Sequence, residues 1–269
     1  MSGENYKLHH WFGTPPGRYL LAWEQERYDE LVADIFGYHA LQLGMPGLQA
    51  LRANRMPHRW LALGADEAQG VPPAEGAADQ GVPPALLAEA VALPFAEASL
   101  DLVALPHTLE LSVDPHAALR EVYRVLVPEG RTVISGLNPW SLWGLRQGRA
   151  RLYQRLGGGG QPYLPDVGEF ISPGRLRDWL RLLGFELETI SFGCYRPAAT
   201  KERWLQRHAW MESLGARWWP ILGAGYVIVA AKRVPGMRLL EPSWRKAPRT
   251  AGAQVQVAVA VTGDVITLQ

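Results

Sequence analysis

At 269 residues, with 48% hydrophobic and 20% charged side chains and a formal charge of +1, the chain has the make-up of an ordinary globular protein and no charge excess for general nucleic-acid or lipid binding. One cysteine, Cys194, excludes an intramolecular disulfide framework and fits a reducing compartment. The opening MSGENYKLHHWFG lacks the apolar core of a secretory signal, and Trp218 to Ala231 is too short to cross a bilayer of about 30 Å, so a soluble, cytoplasmic protein with no membrane partner is expected.

From Trp23 to Gly37, Leu31, Ile35 and Phe36 recur at helical spacing among acids, which predicts an amphipathic helix ending at Gly37. Tyr38 to Leu43 reads as a first strand, and Gly44-Met45-Pro46-Gly47 as its loop. Leu48 to Ala53 is expected to open a helix, and His58 to Leu63 to form a second strand. The pattern then breaks: Gln69-Gly70-Val71-Pro72-Pro73-Ala74 returns as Gln80-Gly81-Val82-Pro83-Pro84-Ala85. A repeat rich in Pro and Gly cannot form a regular ladder, so residues 66 to 85 read as a surface loop.

Leu86 to Ala88 and Leu100 to Leu105 are the third and fourth strands. Asp114 caps a helix that opens at Pro115 and runs to Leu126, and after Pro128-Glu129-Gly130 comes a β-branched fifth strand, Thr132 to Ser135. A helix from Ser172-Pro173 to Gly184, a strand from Phe185 to Ile190 and a last strand from Tyr226 to Ala231 follow. Strands alternating with helices in this way predict a mostly parallel sheet covered on both faces, with ligands beyond the carboxyl ends of its strands.

The stretch Glu89-Ala90-Val91-Ala92-Leu93-Pro94-Phe95 is followed by Ser99-Leu100-Asp101-Leu102-Val103, Asp114-Pro115, Leu119-Arg120-Glu121, Arg124-Val125-Leu126 and Pro128-Glu129-Gly130. In order and spacing it resembles the type 11 subgroup of class I S-adenosylmethionine-dependent methyltransferases. Ser172 to Phe185 looks like that family's late helix, and Tyr226 to Arg233 like its final strand. Trp11 to Gly47 and Asn138 to Leu142 resemble a small bacterial branch of the same superfamily.

The resemblance implies a three-layer α/β Rossmann-like methyltransferase fold, with a mostly parallel seven-stranded sheet and helices on both faces. It implies a domain over 1–235, with an N-terminal helical cap (about 1–36) and an insert (about 138–170), then a tail over 236–269. It implies S-adenosylmethionine as cofactor, a methyltransferase activity and a small-molecule substrate. Carried onto this sequence, Gly44 and Gly47 belong to the glycine loop, Asp66 or Glu67 to the ribose (Asp66 preferred), Glu89 with Ala90 to the adenine side, and His107 to the position after strand four.

Two departures stand out. Gln42 occupies the place of an acid before the loop, and Pro46 the place of its second glycine. They motivate a rival reading, a degenerate fold acting as a non-catalytic binding module. Arg146, Arg149, Arg151 and Arg155, interleaved with Trp140, Trp143 and Tyr153, motivate another, an RNA-modifying enzyme. A solvated helix face whose aromatics dock on the core is preferred there, so nucleic acid is disfavoured. Asp101 is expected to be structural, Cys194 a small filler, and no His spacing suggests a metal site.

Overall fold

A computed structural model describes residues 8, 10–68, 84–157, 162–165 and 170–233. Met1–Val234 make up one compact unit. A second, Pro235–Gln269, which holds the expected tail, lies outside the described residues.

Helical residues at 10–12 precede α1 (Pro15–Ala33), which starts eight residues earlier than its periodicity suggests. Thr14 caps it through its hydroxyl, which accepts from the Gly17 amide, and Pro15 and Pro16 fill the first positions, where no amide is needed. In the buried stripe Leu20, Glu24, Tyr28, Val32 an acid takes an apolar residue's place, so the hydrophobic periodicity is broken in the helix's first half. The helix stops at Asp34 rather than Gly37, whose missing Cβ leaves room for Asp101.

Next come β1 (His39–Leu43), β2 (His58–Leu63), α2 (Ala65–Ala68), β3 (Pro84–Leu87), β4 (Leu100–Pro106), α3 (Thr108–Leu111), α4 (Pro115–Val125) and β5 (Leu126–Leu137). The remainder is α5 (Leu142–Arg155), α6 (Pro173–Leu182), β6 (Phe185–Gly193), α7 (Glu202–Arg207), α8 (Met211–Trp218), a short 3-10 turn (Pro220–Leu222) and β7 (Gly225–Lys232). The seven strands lie in the order β3-β2-β1-β4-β5-β7-β6, and β7 alone runs antiparallel to its neighbours. Order reverses between β1 and β4, so the switch point lies there.

Alternate strand residues face opposite cores. Ala40, Leu102, Ala104, Val133, Val227 and Val229 meet α1 and Trp143 on one face; Leu41, Val103, Leu105, Ile134, Ile228 and Ala230 meet α4 and α6 on the other.

Two expectations fail locally. No helix follows β1: residues 48 to 53 are turns, pinned to α1 by Gln25, whose amide donates to the Gln49 carbonyl and accepts from the Gln49 amide, both at 3.0 Å. Asn54 adds bonds to the Val32 and Ile35 carbonyls at 2.8 and 3.0 Å, so α1 covers the loop that a helix was to fill. Second, the sheet reaches into the repeat, because β3 starts at Pro84. A proline fits there as the first residue of an edge strand. Ala65–Ala68 is likewise helical, while 69–83 lie outside the described residues.

Candidate functional site

A cleft lies at the carboxyl ends of β1, β2, β3 and β4. Gly44, Gly64, Glu67, Glu89, Ala90 and Thr108 line it. Its floor is laid by the sequence next to it. Gly44 continues the β1 ladder through its amide to the Ala62 carbonyl at 2.8 Å and then turns with φ of +71°, which a residue without Cβ adopts freely. A Cβ on Gly44 would stand 3.3 Å from the Glu67 carboxylate, and one on Gly64 would stand 3.7 Å from Oε1 of Glu89. The two glycines thus set the spacing of two carboxylates. Glu67 is buried, which pushes its carboxyl above the usual range; the amides of Gly64 and Met45 oppose this, and Glu89 adds to it.

Gln42 explains the loop. It is buried, and its side-chain NH₂ donates to the carbonyls of Gly44, Met45 and Leu48 at 3.1, 3.1 and 2.7 Å, while its oxygen accepts from the Ala50 amide at 2.9 Å. These four bonds commit the side chain to shaping the loop from inside. Thr108 ties the neighbouring strand ends together, its hydroxyl donating to the Leu43 carbonyl at 2.6 Å.

The acid-Ala-x-x-Leu-Pro-Phe segment is clasped by the helix that follows β4. Arg124 donates to the carbonyls of Leu93 and Phe95 at 3.1 and 2.9 Å, and Glu121 accepts from the Leu93 amide at 3.2 Å and pairs with Arg124. The motif residues therefore hold one another, and through them Glu89 and Ala90 reach the cleft.

Not every expected residue arrives there. Gly47 is solvent-exposed and outside the lining, because the turns after Gly44 carry it away. The backbone of Asp66 belongs to α2 beside Glu67, its side chain lies outside the described residues, and Glu67 lines the cleft. His107 takes φ of 53° and turns inward, fully buried, beneath the cleft. Its Nδ1 lies 2.7 Å from Oε2 of Glu110 and its Nε2 lies 2.9 Å from Oε1 of Glu24. Burial works against charge on the ring, but the two carboxylates outweigh it and raise His107 to about 10. Both ring nitrogens then donate. Glu110 also accepts from the Leu137 amide at 2.7 Å, while Oε2 of Glu24 is buried with no hydrogen-bond partner among the described residues.

A second interior group joins α1 to the β6–β7 connection. The Tyr19 hydroxyl donates to Glu212, whose other oxygen accepts from the Cys194 amide at 3.0 Å, and the Arg196 guanidinium lies 4.3 Å over the Tyr19 ring. Burial pushes the Cys194 thiol up, so it stays protonated and inert. Asp101 accepts from the amides of Tyr38 and His39 at 2.8 and 2.9 Å, the structural role expected of it.

Thr108 and Glu24 were not picked out from sequence. Nothing marks Thr108, but an acid spaced four residues from both Leu20 and Tyr28 marks Glu24.

Residues 57–134 match the family model described as a methyltransferase domain. Among curated proteins, the chain is 42% identical over 108 residues to the uncharacterised protein YafS of Escherichia coli, a match covering 40% of this chain and 42% of that one. It is 35% identical over 121 residues to the demethylmenaquinone methyltransferase of Thermus thermophilus, covering 40% and 55%. The chain thus spans about half the length of the curated relatives it matches. Among solved structures, a methyltransferase in complex with the Trm112 methyltransferase activator of Haloferax volcanii aligns at a TM-score of 0.50 and 17% identity, over 79% of this chain and 90% of that one. An S-adenosylmethionine-dependent methyltransferase from Archaeoglobus fulgidus aligns at 0.50 and 18%, over 79% and 94%. At these identities the likeness is one of fold.

Proposed function

We propose that this chain, whose residues 57–134 belong to the type 11 class I S-adenosylmethionine-dependent methyltransferases, binds S-adenosylmethionine at the carboxyl ends of β1 to β4 and transfers its methyl group to a small-molecule acceptor. The observation that carries this reading is the cleft at the switch point, which Gly44 lines together with two carboxylates.

The donor set suits the nucleoside half of that cofactor. Glu67, with Asp66 beside it in sequence, would accept from the ribose hydroxyls, and Glu89 with Ala90 would flank the adenine amine. Gly44 would bring its backbone against the ligand. When bound, the cofactor supplies a methyl group already activated by its sulfonium, so the chain's part is placement. Gln42 and Thr108 fix the loop and the strand ends, and Trp11, Phe12 and α1 close the β4–β5 side against water.

One observation favours a second reading, a non-catalytic binding module. Gln42 uses its amide inside the loop and Gly47 faces solvent, so neither the Gln42 side chain nor the Gly47 backbone meets the methionine tail. Isothermal titration with S-adenosylmethionine and with its demethylated product decides whether the site binds, with one-to-one isotherms expected. No heat at about 1 mM ligand, a ceiling of roughly 4 kcal/mol in affinity, overturns the cofactor assignment. Binding without methyl transfer to any acceptor pool selects the module, and transfer to RNA in place of small molecules selects the RNA-modifying reading.

A further inference from the structure

Exposed apolar surface on this protein is concentrated. Of the twenty large hydrophobic side chains that are exposed among the described residues, six lie between Trp140 and Leu156 and seven between Trp204 and Leu222. These are the connections that follow β5 and β6, strands whose carboxyl ends lie at the same sheet edge as the cleft. The two connections also touch. Trp143 donates its indole N–H to the Arg196 carbonyl at 2.8 Å, and Arg146 donates to that of Ala198.

Their charge is one-sided. Residues 139–157 hold four arginines and no acid, and residues 194–223 hold five basic residues against Glu202 and Glu212. Glu212 turns inward to Tyr19 and Cys194, and Glu202 faces Arg18 at 3.9 Å. What remains outward is cationic and aromatic: Arg203, Arg207 and Arg217 stand exposed beside Trp204, Trp210 and Trp218.

We propose that this edge docks on the surface of an anionic lipid bilayer. Indoles settle at the headgroup level, where the ring is apolar and its N–H stays wet, and aliphatic side chains such as Leu152, Leu156 and Ile221 enter the acyl boundary beside them. Arginines among them meet anionic headgroups and let their stems follow the apolar surface. A polyanion such as RNA complements the arginines but leaves the exposed leucines and isoleucine in water, so the aliphatic content favours lipid. Among the described residues no helix is long and apolar enough to cross a membrane, so the contact lies in the plane of the interface. The proposal departs from the expectation of no membrane partner. If the methyl-transfer reading also holds, the acceptor is one that partitions into the bilayer, since the cleft opens on the docked edge.

The test is flotation of the full chain with vesicles of phosphatidylcholine containing phosphatidylglycerol, at low and high salt, together with tryptophan quenching by brominated acyl chains. Wild type should float with anionic vesicles, lose much of that binding in high salt and show quenched emission. Arg203→Glu with Arg207→Glu should lower partitioning roughly tenfold or more, and Trp210→Ala with Trp218→Ala should do so comparably. Phe36→Ala, exposed before β1 at the opposite sheet edge, should change nothing. Circular dichroism checks folding, and if one pair unfolds the other decides. Absence of flotation at low salt, flotation unaffected by either pair, or binding to single-stranded RNA without flotation overturns the proposal. Titration with S-adenosylmethionine, done without vesicles, reports on the cleft independently.

Discussion

Nε2 of His107 lies 2.9 Å from Oε1 of Glu24, across 83 residues of sequence, and neither side chain is exposed. With Glu110 on the other ring nitrogen, an imidazolium between two carboxylates joins α1 to the end of β4. The linkage has a definite sign. A histidine raised to about 10 in the folded chain, against about 6.5 unfolded, contributes its full stabilisation below about pH 6.5 and loses it progressively up to about pH 10. Urea denaturation at pH 6, 8 and 10 should show stability falling by up to about 1.4 kcal/mol per pH unit in that window. His107→Gln should be less stable at pH 6 by about 3 kcal/mol, since it leaves carboxylates buried without their partner, and its pH slope should flatten. A slope unchanged by the substitution would place the proton elsewhere.

Gln42 invites a repair that should fail. Restoring an acid at this position would aim a carboxylate at the carbonyls of Gly44, Met45 and Leu48, where an NH₂ now donates. Gln42→Glu is expected to cost about 2–4 kcal/mol in denaturant melts, through lost bonds and a buried charge facing lone pairs. Affinity for S-adenosylmethionine should not improve. Equal stability with tighter binding would mean that the loop carbonyls turn away readily.

Cofactor binding should separate backbone from side chain. Gly44→Val forces a β-branched residue into φ of +71° and against the Glu67 carboxylate, so titration should show binding abolished. Glu89→Ala removes one charge-assisted bond, worth about 1.5–3 kcal/mol, and should weaken binding by about ten- to a hundredfold. Retained affinity in Gly44→Val would move the ligand away from this loop.

Asp101 should matter to folding and not to the ligand. It closes the amides of Tyr38 and His39 at the entrance to β1, far along the strand from Gly44. Asp101→Ala should lower the unfolding free energy by about 2 kcal/mol while the affinity for S-adenosylmethionine stays put. A parallel loss of both would link that end of the sheet to the cleft.

The sheet was legible from sequence because β4, α4 and the segment before them are local: Asp114 caps through the Ala117 amide at 2.9 Å, and Arg124 reaches back to Leu93 and Phe95. Such contacts leave residue types at fixed spacing. The misreadings have a common cause in long-range pairing. Helical periodicity over Leu48 to Ala53 gives way to turns because Gln42 and Gln25 satisfy that backbone from other elements, while Asn54 ties the end of the loop to the carbonyls of Val32 and Ile35. His107 reads as a site residue from its place after β4, and only Glu24, far earlier in the chain, reveals why it turns inward. The α7–α8 connection carries no family motif, so its surface emerged from exposure alone.

The edge strand β3 opens with Pro84-Ala85-Leu86-Leu87, and the two copies of the repeat end in the same Pro-Pro-Ala. Slippage of a DNA polymerase that removed or added one copy would therefore deliver an identical tripeptide to Leu86 and Leu87. The sheet would be blind to copy number, and length variation would drift at this position, beside the cleft, without a cost in register.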